Sequence, residues 1–139
     1  MLYDPLYIEF IYYFNIERDY FECHEVLEEL WLKEGRSLLY QGLLQVAVGL
    51  YHHRNDNLGG AFKLFTGAIE KLESYPSDAL GIDLEKLRQE SNVYRDGLTL
   101  AIADANPTHY PFYDLNIVVI DPSLKEAIDL LVDNPPHKH

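Results

Sequence analysis

Apolar residues along most of this chain recur at intervals of three and four, the period of a helix with one buried face. Tyr20, Cys23, Leu27, Leu30 and Trp31 form one such face. Asp19, with Glu22 three residues on, resembles a capping box that opens this helix, and Gly35 is placed to close it after about Glu34. Upstream, Asp4-Pro5 reads as an N-cap followed by proline at the first helical position, predicting a short helix from Pro5 to Phe14 with Asn15 as its stop. From about Ser37 to Arg54 the pattern changes. Leu38, Leu39, Tyr40, Leu43, Leu44, Val46, Ala47, Val48, Leu50 and Tyr51 point in nearly every direction around the axis, which predicts a helix buried at the centre of the fold.

A fourth helix is predicted from about Leu58 to Tyr75, with Ala61, Phe62, Phe65, Ala68, Ile69 and Leu72 on one face and Pro76 ending it. Asp83 caps a fifth, whose seam is Leu84, Leu87, Tyr94, Leu98 and Ile102; Asn106-Pro107 closes it. Residues 107–120 carry two prolines and no helical period, so they read as an extended segment with a strand-like piece at Asn116–Ile120. Asp121-Pro122 begins a last short helix through Leu131, and the tail 134–139 is expected to be disordered. The fold class predicted is all-α: a single-domain bundle of five to six helices.

Composition agrees with a globular chain, at 139 residues with 47% hydrophobic and 24% charged. The formal charge of −12 changes the picture of partners, because such a field repels nucleic-acid backbones and anionic lipid and attracts cations. One cysteine, Cys23, permits no intrachain disulfide. The N-terminus lacks the basic start and apolar run of a signal peptide, and no apolar run is long enough to span a bilayer. A cytoplasmic protein without a membrane or nucleic-acid partner is the expectation.

The chemistry on offer lies on the second and third helices. At about 100° per residue, Glu22, Glu25, Glu29 and Lys33 fall opposite the apolar face, where water is expected. His24 and Glu28, four apart, stack on a flank bordered by Trp31 on one side and by Phe21 and Leu32 on the other. On the third helix Gln41, Gln45 and His52 share a narrow stripe with Val48, beside a smooth strip made by Gly42 and Gly49. Buried polar groups cost about 1–3 kcal/mol each when unpaired, so the His24/Glu28 flank is expected to face the Gln41/Gln45/His52 stripe.

Three readings of that constellation compete. It is a hydrogen-bond network fixing helix register, in a protein that serves as an interaction scaffold. Or it holds a divalent metal on His24, Glu28 and His52 (or His53), since His-Glu-x-x-Glu at 24–28 has the i, i+4 geometry of the zinc motif His-Glu-x-x-His. Or it lines a pocket for a small ligand. In a hydrolase-like version His24 or His52 serves as general base, oriented by Glu28. No nucleophile motif, phosphate loop or cofactor fingerprint supports a reaction class, and Cys23 lies at the centre of the apolar face. His52 and His53, as neighbours, read as one inward and one outward histidine.

These residues also carry a family resemblance. Phe21-Glu-x-His-Glu-x-Leu-Glu-x-x-Trp31, then Gln41-Gly-Leu-Leu-Gln-Val-Ala-Val-Gly-Leu-Tyr-His52, then Asn57-x-x-Gly60-Ala61, resembles the domain-of-unknown-function 309 family over about residues 14–75. The resemblance implies a small all-helical fold found in bacteria, archaea and plastids, and no activity. By its pattern Glu22, His24, Glu25, Glu28, Trp31, Gln41, Gln45 and His52 are signature positions. Aromatic residues in 107–120 are expected either to pack inward or to cover the partner in a homodimer.

Overall fold

The computed structural model describes residues 3–138. Among these, six α-helices run in order: α1 (Pro5–Tyr12), α2 (Tyr20–Lys33), α3 (Leu38–Arg54), α4 (Leu58–Leu72), α5 (Leu84–Ala103) and α6 (Pro122–Asp133). Each begins where a short polar side chain accepts a hydrogen bond from an otherwise orphaned backbone N–H. The caps are Asp4, Asp19, Ser37, Asn57, Asp83 and Asp121. Such a cap is worth about 1 kcal/mol, and all six positions are legible in the sequence as turn-forming residues ahead of an apolar run.

The first helix departs from its predicted end. Winding does not stop at Asn15 but widens into a π-helical turn, Tyr13–Glu17, which closes at Arg18 with φ +56°. Asn15 has another task. Its Nδ2 donates to the Ile117 carbonyl at 2.7 Å, and its Oδ1 accepts from the Ile117 N–H at 2.9 Å. One side chain thus supplies the ladder partner that the extended segment would otherwise need from a strand.

Helices adjacent in sequence pack as neighbours through α5, and α6 returns against α1. Chain reversal after Lys33 brings Phe21 of α2 beside Tyr51 of α3, with ring centroids 6.2 Å apart, so these two helices run antiparallel. On its other side α3 approaches α4 closely. A Cβ at Gly49 would lie 2.9 Å from the Phe65 ring, and one at Gly42 2.7 Å from Leu72. The core fills with aromatic bulk: Tyr7, Phe10, Tyr13, Phe14, Tyr20, Phe65 and Tyr94 are all fully buried.

Residues 107–120 were expected to be extended; Pro107–His109 instead form a 3-10 turn, and 111–120 are extended but make no strand among the described residues. A single antiparallel bridge joins Ile82 and Val119, flanked by bonds from Asp83 N–H to Val118 C=O (2.8 Å) and from Ile120 N–H to Gly81 C=O (2.9 Å). The described end of the tail touches the N-terminal part of the chain. Lys138 reaches Asp19 at 2.5 Å and Glu17 at 3.3 Å, and the His137 carbonyl accepts from the Tyr13 hydroxyl at 3.5 Å. His139 lies outside the described residues. No helix among them is long and apolar enough to cross a membrane.

Candidate functional site

The antiparallel pairing sets the first turns of α2 against the last turns of α3. Between them opens a cavity of about 210 Å³, lined by Tyr20, Phe21, His24, Val48, Tyr51 and His52. His24 and His52, predicted from different helices, therefore share one cleft. Phe21 and Tyr51 form a tilted pair at 48°, and each ring also approaches a histidine: Phe21 to His24 at 6.4 Å and Tyr51 to His52 at 5.9 Å. Tyr20 is fully buried; its hydroxyl donates to Asp114 Oδ1 at 2.5 Å, and burial together with that bond pushes its pKa up.

His24 is held by its own helix. Its Nε2 lies 2.9 Å from Glu28 Oε2 and its Nδ1 3.5 Å from Glu25 Oε1. Glu28 does not line the cavity; it is paired with His24, which does. The pair is more open than its apolar borders suggested, with side chains 38% and 47% exposed. His52 looks the other way for its partner: Asn57 Nδ2 donates to its Nδ1 at 3.2 Å. Among the described residues no three His, Cys, Asp or Glu side chains group as a metal shell would require. Cys23 is buried beneath the site, 3.6 Å from the Phe10 carbonyl, and burial raises its thiol pKa well above the ordinary range.

The expected stripe on α3 divides. His52 and Val48 face the cleft, whereas Gln45 turns to α4, where a Cβ at Gly67 would lie 2.8 Å from its Oε1. That oxygen is buried with no hydrogen-bond partner among the described residues. Spacing explains the turn. Gln45 is three residues from Gly42 and four from Gly49, so it shares the smooth face as well as the polar stripe, and close packing on α4 claims it. Gln41 is half-buried and does not line the cavity. Glu22, expected in water, is only 5% exposed; it lies close enough to Tyr13 to help raise that phenol to about 12, behind the larger effect of burial. The π-helical turn, invisible in the periodicity, covers that side of α2.

A second cluster was only half visible in sequence. His53 is 3% exposed. Its Nε2 lies 2.9 Å from the Tyr110 carbonyl, which only accepts, so Nε2 carries the hydrogen and Nδ1 accepts from the Tyr94 hydroxyl at 2.5 Å. The imidazole stacks on the Tyr110 ring at 5.8 Å and 10° and meets Phe112 edge-on at 5.8 Å. Burial lowers its pKa, against a smaller opposing pull from the Tyr110 bond and Asp56. The neighbouring pair is thus one buried and one cleft-facing histidine, and aromatic residues of 107–120 pack inward on it. The adjacency of two histidines at the end of an apolar helix was the signal; the partners came from residues more than forty positions away.

Comparison with known proteins bears on part of the chain. The chain is 41% identical over 91 residues, 62% of its length, to the uncharacterized protein YpuF of Bacillus subtilis (strain 168), and the match covers 52% of that protein. The chain therefore spans about half the length of this curated relative. Residues 7–64 match the family described as Domain of unknown function (DUF309), a span that begins earlier and ends earlier than the resemblance read from the signature residues. All six lining residues of the cleft fall inside it, and over residues 7–64 the match to the domain-of-unknown-function 309 family is shown.

Proposed function

We propose that this protein is a binding module that takes a small organic ligand in the cleft between α2 and α3. One observation carries the reading: His24 and His52 come from separate helices to the walls of the same aromatic cavity of about 210 Å³. Ligand sites are concave, mostly apolar, and carry a few polar groups that fix orientation, and the space between bundle helices is a common place for them. This one is smaller than the ~300 Å³ floor usual for drug-sized ligands, so a nucleotide or large cofactor is too big for it.

The walls favour an organic occupant over a metal ion. They are ring carbon and Val48, with His24 already turned to Glu28 and His52 to Asn57. In a hydrolase using His24, Glu28 and His52 the nucleophile is water rather than a side chain, since Cys23 is buried. The net charge of −12 weighs against a nucleic-acid partner, and the buried thiol suits the reducing cytoplasm.

A ligand-observed NMR screen of small fragments against the full chain tests the proposal. Hits should lose their signal in Phe21→Ala and His52→Ala, both at positions open enough to tolerate truncation. A screen whose hits bind both variants as they bind the parent refutes it.

A further inference from the structure

Given the binding module proposed above, on which this step rests, we infer that the ligand is an organic ammonium ion: a nitrogen cation carrying apolar substituents.

Aromatic rings attract cations to their faces, most strongly where water is excluded. Three rings, Tyr20, Phe21 and Tyr51, line this cavity with the two imidazoles. The chain uses the same attraction on itself nearby. The Arg54 guanidinium lies over Tyr20 at 4.9 Å and Phe112 at 6.0 Å, and that of Arg36 over Trp31 at 5.3 Å. Among the described residues no cation lies over Phe21 or Tyr51, so two rings of the cleft keep that capacity unspent. Phe21 is half exposed, at 49%.

Charge selects the sign. Glu28 and Glu25, which do not line the cavity, lie 2.9 and 3.5 Å from His24, set against the Arg54 guanidinium over the lining ring Tyr20. The chain as a whole carries −12, a field that draws cations in and holds anions off. The walls then select among cations. A small inorganic ion or a bare ammonium must exchange its water for oxygen or nitrogen ligands, and rings with Val48 provide few. A nitrogen bearing methyl or larger groups has few or no N–H bonds to satisfy, sheds a loose hydration shell and buries its substituents against the rings. Free quaternary amines and alkylated lysine side chains share this chemistry.

The test is a pair of probes that match in shape and differ in charge. Choline and its neutral carbon isostere 3,3-dimethylbutanol are titrated against the full chain, following the side-chain resonances of His24, Tyr51 and His52. Choline should bind about tenfold more tightly than the isostere. Phe21→Leu keeps an apolar side chain but loses the ring, and should weaken choline severalfold while leaving the isostere unchanged. A trimethyllysine peptide alongside tetramethylammonium separates the two sources: equal affinity assigns a free amine, and a much tighter peptide assigns a protein side chain. Equal or tighter binding of the isostere overturns the inference and leaves an apolar ligand site standing. If neither probe moves those resonances, the inference falls, and the binding reading survives only where the fragment screen finds hits in the same cleft.

Discussion

Replacing Gly49 with alanine measures how tightly α3 is seated, and with it the wall that carries Val48, Tyr51 and His52. The new Cβ would lie 2.9 and 3.0 Å from Phe65 Cε2 and Cδ2, well inside the 3.5–4.0 Å of ordinary carbon contact. Phe65 cannot retreat: it is fully buried and stacked on Tyr94 at 4.5 Å, and Tyr94 is itself bonded to His53. Overpacking of this kind costs about 1–3 kcal/mol. Alanine returns up to about 1 kcal/mol of helix propensity. Gly59→Ala isolates the second effect, because nothing lies within 4 Å of its new Cβ on α4. Urea denaturation of both variants should place Gly49→Ala about 1–3 kcal/mol below Gly59→Ala. At about 0.3 kcal/mol per degree for a chain of this length, that is a gap of roughly 3–10 °C in Tm. Equal stability of the two variants would refute the argument that glycine sets the α3–α4 separation.

Asn15→Ala leaves the Ile117 N–H and C=O without their partner and should cost about 1–3 kcal/mol in the same assay. His53 gives a pH dependence. Its folded pKa is depressed by burial, so the unfolded chain binds the proton more readily; the stability it contributes is complete above the ordinary 6.5 and is lost as pH falls below it. The unfolding free energy from urea titrations should decline from pH 6.5 downward by at most about 1.4 kcal/mol per pH unit, and His53→Gln should flatten that limb. The lowered carboxyls of Asp4 and Asp19 act further down, their contribution being lost only below 3.8. Deleting residues 135–139 should speed amide hydrogen exchange in the first turn of α2 while leaving the midpoint unchanged, since Lys138 holds Asp19 and Glu17 from the surface.

Local chemistry was the legible part. The starts of α1, α2, α5 and α6 lie at the caps read from the sequence, Asp4, Asp19, Asp83 and Asp121, because a cap is decided within three residues of itself. The meeting of His24 with His52 was legible too, since helical angle and a short connection fix which flanks of α2 and α3 adjoin. Gln45 was misplaced because its angle lies between two faces, and only the glycines of a third helix decide which one wins. Glu22 was misread because what covers it is a π-helical turn, which has no signature in an apolar period. The partners of His53 and Asn15 were out of reach for the same reason: Tyr110 and Ile117 belong to a segment without periodicity, placed by hydrogen bonds that bridge 57 and 102 residues.

The bond from Tyr20 to Asp114 joins positions 94 apart. The floor of a cleft whose lining ends at residue 52 is thus finished by a carboxylate far downstream. A ribosome releases the α2–α3 hairpin long before Asp114 emerges, and contacts of such separation form late because loop closure must precede them. The nascent hairpin therefore carries both histidines but not the settled floor, and the proposed binding requires the segment that brings Asp114.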